Sequence, residues 1–136
     1  MRNGSYAESI DPWAGGVGLG RARDSLRDWL AHAGVPEPAL HEILIACGEA
    51  CANAVEHSGA RPDAGVPGIQ VTATRSARSV QVVVTDRGNW KVPASEPTVP
   101  SNGRGRGRMM MAALVDHLDI RTGPDGTTVE LIKELP

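Results

Sequence analysis

Residues 38–59 read PALHEILIACGEACANAVEHSG. Leu40, Ile43, Leu44, Cys47, Cys51 and Ala54 recur at spacings of three and four, so they form one apolar stripe on a helix over about 38–57. Glu42, Glu49, Asn53 and His57 fall on other sides. Glu49, Asn53 and His57 are successive i,i+4 neighbours and make a single polar line. The Gly- and Pro-bearing stretch that follows, SGARPDAGVPG, ends the helix.

Upstream, LGRARDSLRDWLAHA (19–33) spaces Leu19, Ala22, Leu26, Trp29, Leu30 and Ala33 as a second amphipathic helix, and GVPEP (34–38) stops it. Residues 1–18 have weak periodicity and read as an N-terminal arm, either a short edge strand or a loosely docked segment. Downstream, IQVTATRSA (69–77) and SVQVVVTDRG (79–88) alternate as strands, the valine run of the second marking a more central position. Residues 89–104 contain three prolines and no periodicity. A stretch of that length is often a functional lid. A helix is expected over Met109–Leu118, then the segment LDIRTG, a PDG turn and a strand over 127–135. Helices and hairpins in this order indicate an α/β or α+β two-layer sandwich in one domain.

Composition narrows the function classes. Hydrophobic residues make up 40% of the 136, but with no Phe, one Tyr and three Trp the core falls to Val, Leu, Ile, Met and Ala. Fourteen Lys and Arg against 16 Asp and Glu leave a formal charge of −2, unlike the basic footprint of a nucleic-acid binder. The local run Arg104, Arg106, Arg108 suits a small anionic ligand instead. Cys47 and Cys51 read as two buried thiols on one helix face, since no His or Cys elsewhere is patterned to complete a metal site. No apolar stretch approaches the roughly 20 residues of a membrane span and no signal segment is evident, which makes the cytoplasm the expected compartment.

Four pieces can carry chemistry. Glu49 and Asn53 place a carboxylate and an amide oxygen one helical turn apart. Mg2+ commonly takes only one or two protein ligands beside substrate phosphates, which suits Asn53, while Glu49 can deprotonate a hydroxyl. On the wet side of a helix the same pair is equally an ordinary surface. Asp86 is delivered by an apolar strand into a turn at Gly88, where it can accept from an exocyclic amine, or simply close an Asx turn. In SNGRGRGRMMM (101–111), Gly103, Gly105 and Gly107 free the backbone N–H groups of a turn that opens a helix near Arg108. A phosphate chain could cap that helix, with Arg106 adding charge, or the stretch is a basic hinge. Thr127 and Thr128 in GTTV could reach a base edge, although β-branched residues are routine in strands.

Together and in order these pieces resemble the GHKL (Bergerat-fold) ATP-binding family, above all the bacterial anti-sigma-factor serine/threonine kinases and their actinobacterial relatives, over about Leu19 to Lys133. EACAN is similar to the family's N box, which implies Glu49 as general base and Asn53 as Mg2+ ligand. DRGNW is similar to the first Gly box, implying Asp86 on adenine and Gly88 near the base. GRGRMMMAALVD resembles the second, implying that Gly105 and Gly107 line the phosphates under a lid over about 89–106, hinged near Gly103. DGTTVEL matches the terminal strand motif and implies Thr127 near adenine, with His57 a helix-end residue near the site. Arg108 departs from the pattern, which usually carries an apolar residue there.

The resemblance implies an α+β two-layer sandwich: a mixed, mostly antiparallel sheet with about three helices on one face, forming one ATP-binding domain over 19–136. It further implies ATP and Mg2+ as cofactors. The expected function is a serine/threonine kinase that phosphorylates a STAS-type antagonist protein and, as a dimer, holds a sigma factor. Neither nucleic acid nor membrane is an expected direct partner. The alternative is a non-catalytic, nucleotide-gated interaction module of the same fold.

Overall fold

The chain runs β1 (Gly4–Ile10), α1 (Gly16–His32), α2 (Glu37–His57), β2 (Ile69–Arg75), β3 (Ser79–Asp86), α3 (Arg104–Leu114), β4 (His117–Gly123) and β5 (Gly126–Glu134). The computed structural model describes residues 4–10, 16–57, 68–86, 104–124 and 126–136, with the backbone alone at 16, 17, 55–57 and 104–106. The strands form one sheet in the order β1-β2-β3-β5-β4, and all four pairings among the described residues are antiparallel.

Period-2 alternation decides which face is covered. Ile69, Val71 and Ala73, then Val80, Val82 and Val84, then Val129 and Leu131 are buried on one side. The interleaved Gln70, Thr74 and Thr85 are exposed, and Gln81, Val83 and Glu130 are half-buried on the other side. The α2 stripe of Leu40, Ile43, Leu44, Cys47, Cys51 and Ala54 is buried throughout. Burying each large aliphatic side chain contributes about 1.5–3 kcal/mol, so this helix-on-sheet layer dominates the stability. The result is an α+β two-layer fold with its three helices on one face.

The N-terminal arm supplies an edge strand. Its register runs from Gly4 opposite Arg75 to Ile10 opposite Ile69, and Tyr6 packs at 5.8 Å, tilted, on Trp29 of α1. Gly34, at φ +80°, turns the chain out of α1, with Val35 N donating to Leu30 O at 3.1 Å. Arg75 is buried at the end of β2 and caps the same helix: its Nε donates to Ala33 O at 3.0 Å and Nη1 to the carbonyls of Ala77 and Ser76. A cation there meets the negative end of the helix dipole.

The third helix differs from expectation at both ends. It begins at Arg104, so the Gly–Arg repeat is its first turn and a half, not a loop before it. It ends at Leu114, four residues early, because β5 takes the next ones: Asp116 N donates to Ile132 O at 2.9 Å, and Asp116 Oδ2 accepts from Glu134 N at 2.7 Å. The expected lid lies outside the described residues over 89–103, while 104–106 belong to α3.

Candidate functional site

Lys133, near the end of β5, fixes how the helices lie on the sheet. Its Nζ pairs with Glu42 at 2.8 Å, near the start of α2, and donates to Leu114 O at 3.0 Å, the last residue of α3. From Glu42 the helix rises about 16 Å to Asn53. From Lys133 the strand returns about 20 Å to Thr127. The later half of α2 therefore lies over the Thr127 end of the sheet.

At that end two polar residues face the helices from neighbouring strands. Asp86 is the last residue of β3, Thr127 is the second of β5, and they stand directly opposite each other in the β3–β5 register. Both continue the buried side of their strands, with Asp86 2% exposed and Thr127 0%. Thr127 Oγ1 is buried with no hydrogen-bond partner among the described residues. Leaving a hydroxyl in that state costs about 1–3 kcal/mol, and a ligand or water accepting or donating there would recover it.

A second cluster forms where α3 meets α2. Glu49 and Asn53 are half-buried, and Gly107 is buried against them. A Cβ on Gly107 would lie 2.9 Å from Glu49 Oε1, 3.6 Å from Asn53 Nδ2 and 3.8 Å from Asn53 Oδ1. Only glycine lets the first turns of α3 approach the carboxylate so closely. Gly105 shares that helical segment, as does Arg106 by its backbone. The first turns of α3, whose leading N–H groups have no intrahelical acceptor, thus adjoin a carboxylate and an amide, a donor set that fits one hard cation shared with phosphates. No group of three or more His, Cys, Asp or Glu able to hold a metal occurs among the described residues.

The structure brings together Glu49, Asn53 and Gly107 in one cluster, and Asp86 with Thr127 in another. His57 is the last residue of α2, its side chain outside the described residues, and Gly88 and Gly103 lie outside them as well. Sequence reasoning missed that Gly107 is spent on close approach to Glu49 inside a helix. Gly107 is the fourth residue of α3, and its signal was a glycine only two residues before the apolar run from Met109.

The model of the histidine kinase-like ATPase domain matches residues 17–133, nearly the whole chain. The chain belongs to that family. It is therefore a GHKL, or Bergerat-fold, ATPase domain. The crystal structure of the RsbU and RsbW domains of Rv1364c from Mycobacterium tuberculosis is 30% identical, with a TM-score of 0.75, covering 97% of this chain and 32% of that one. The blue-light activated histidine kinase of Erythrobacter litoralis EL346 is 25% identical at TM-score 0.57, covering 74% of this chain and 32% of that one. Its separate histidine kinase domain shares the fold at 22% identity and TM-score 0.59, covering 88% and 60%. This ATPase domain spans about a third of the length of the first two structures. No helix among its described residues is long and apolar enough to cross a membrane.

Proposed function

We propose that the domain binds ATP with Mg2+ and transfers the γ-phosphoryl group to a serine or threonine of an antagonist protein, thereby controlling a sigma factor that it otherwise holds. The observation that carries this reading is the gathering of Glu49 and Asn53 on Gly107 at the start of α3. Similarity to a structure containing an RsbW domain supports the protein-kinase assignment over a histidine kinase.

Asn53, with the phosphates, would hold the Mg2+, which when bound neutralises charge on the β- and γ-phosphoryl oxygens. Gly105 and Gly107 line the phosphate chain at the helix N-terminus, with Gly107 seating Glu49 beside it. Asp86 accepts from the exocyclic amine of adenine, and the Thr127 hydroxyl completes that contact. Glu49 takes the proton of the incoming hydroxyl as its oxygen bonds to the γ-phosphorus and the bond to the bridging oxygen breaks, releasing ADP.

The test is transfer of label from γ-labelled ATP, in Mg2+, to the antagonist encoded nearby. Wild type should label a serine or threonine, and Glu49→Gln should lower the rate at least about 100-fold while nucleotide affinity stays. Absence of transfer to every cognate antagonist would remove the kinase reading. The exposed Met109 and Met110 beside Arg108 favour a second reading, a nucleotide-gated interaction module. In that case transfer is absent while nucleotide still changes the affinity for the partner.

A further inference from the structure

The side of α2 turned away from Glu49 and Asn53 borders a different space. At about 100° per residue, Leu44, Cys47, Gly48 and Cys51 project to one side of the helix and Glu49 and Asn53 to the other. The first four line a half-open cavity of about 330 Å3 between α1, α2, β1 and β2, walled elsewhere by Ile10, Leu26 and Val71. It falls in the size range of ligand pockets, about 300–1,000 Å3, which are mostly apolar with a few placed polar groups.

Two observations separate it from a packing defect. The first is a pair of glycines. Gly20 in α1 and Gly48 in α2 stand inside helices, where glycine costs about 1 kcal/mol relative to alanine, and both line the cavity. Neither has a positive φ, and a Cβ on either would meet nothing within 4 Å. Gly34 and Gly107 are explained by a left-handed turn and a close approach; these two are not. Both are exposed where they line the cavity, one on each helix, so a side chain on either would stand at its mouth.

The second is charge. Arg23 is the one charged side chain among the described lining residues. It is exposed and makes no ion pair or hydrogen bond among the described residues. A cationic rim on an apolar cleft calls for an anionic head on an apolar body. An apolar cavity of about 150 Å3 takes benzene, so this one has room for about a dozen non-hydrogen atoms.

We propose that this cavity is a second ligand site, for a medium-length aliphatic monocarboxylate whose chain lies among Ile10, Leu26, Leu44 and Val71 and whose carboxylate pairs with Arg23. It stands independently of the nucleotide site.

Decanoate, with 1-decanol as its neutral counterpart, tests this by calorimetric titration of the whole chain. Decanoate should bind saturably at one site, and 1-decanol about tenfold more weakly, the difference a charge-assisted bond supplies. Arg23→Gln should bring decanoate down to the level of the alcohol. Gly48→Leu should abolish binding of both by filling the mouth, while the melting temperature holds or rises because leucine is the better helix former. Gly20→Leu fills the opposite side and gives the same result should the first variant fail to fold. No saturable binding, binding that survives both leucine variants, or equal affinity for acid and alcohol would overturn the proposal.

Discussion

Thr127 holds a fully buried hydroxyl without a partner among the described residues, opposite a buried aspartate. A strand residue with no other task would be valine there, as Val129 is two positions on. Thr127→Val should therefore stabilise the nucleotide-free domain by about 1 kcal/mol, read from the urea midpoint. In the role proposed for it, the change should also weaken ATP binding about tenfold, since the lost contact would be made only with ligand. Stabilisation without loss of affinity would reduce the threonine to a packing residue. Gly107 poses the converse case. Alanine is the better helix former by about 1 kcal/mol, and the atom it would press on is the free end of the Glu49 side chain, 2.9 Å away, which can swing aside. Gly107→Ala should thus leave stability unchanged or slightly higher. The displaced carboxylate should nevertheless slow phosphoryl transfer about tenfold or more, because positioning over tenths of an ångström is what the approach secures.

At the level of elements, α2 is a helix with two working faces, and the spacing of its apolar residues reveals both. Helix spacing is a local property, which is why α1 and α2 are legible in the sequence to within a few residues. α3 is not, because glycine argues locally against helix while Gly107 answers to Glu49 on another element. Its far end is likewise set at a distance, by Asp116 joining β5. The buried face of α2 makes a pH prediction. The hydrogen bond that the Cys47 thiol donates to Cys51, with burial, raises that thiol well above the ordinary thiol range. A raised folded-state value means the protonated form is the one the fold favours. The stability it contributes is whole below the ordinary thiol value, near 8.5, and is lost as pH rises beyond it. Urea midpoints of wild type should fall with pH above about 8.5, and Cys47→Ala should fall less steeply. Burial also raises Tyr6, which loses stability in the same direction at higher pH, so the difference between the two proteins is the quantity to read.

The whole molecule gathers residues that no local pattern links. Asp86 and Thr127 lie some forty positions apart, and their pairing is a matter of strand register; Glu49 and Gly107 meet only because α3 crosses α2. The sequence could suggest each residue through a motif, but not that one hydroxyl is left orphaned or that one carboxylate fills the place of a glycine's missing side chain. The orphaned hydroxyl leaves the free protein short of its full stability, and a ligand reaching it would add to it. A ligand that binds only the folded state stabilises it by about 2.7 kcal/mol at 100 times its dissociation constant, which for a domain of this size raises the melting temperature by about 10 °C. A non-hydrolysable ATP analogue with Mg2+ should produce that rise in the wild type. Asn53→Ala should lose the increment that Mg2+ adds to the analogue alone, because the role proposed for the amide is through the ion. Asp86→Asn should lose most of the rise with or without Mg2+, because the role proposed for its carboxylate is on the base. Transfer plays no part in this measurement, so a catalytically silent domain still passes it. A melting temperature that millimolar nucleotide leaves unmoved would reject ATP binding itself, and with it the kinase and the nucleotide-gated module together.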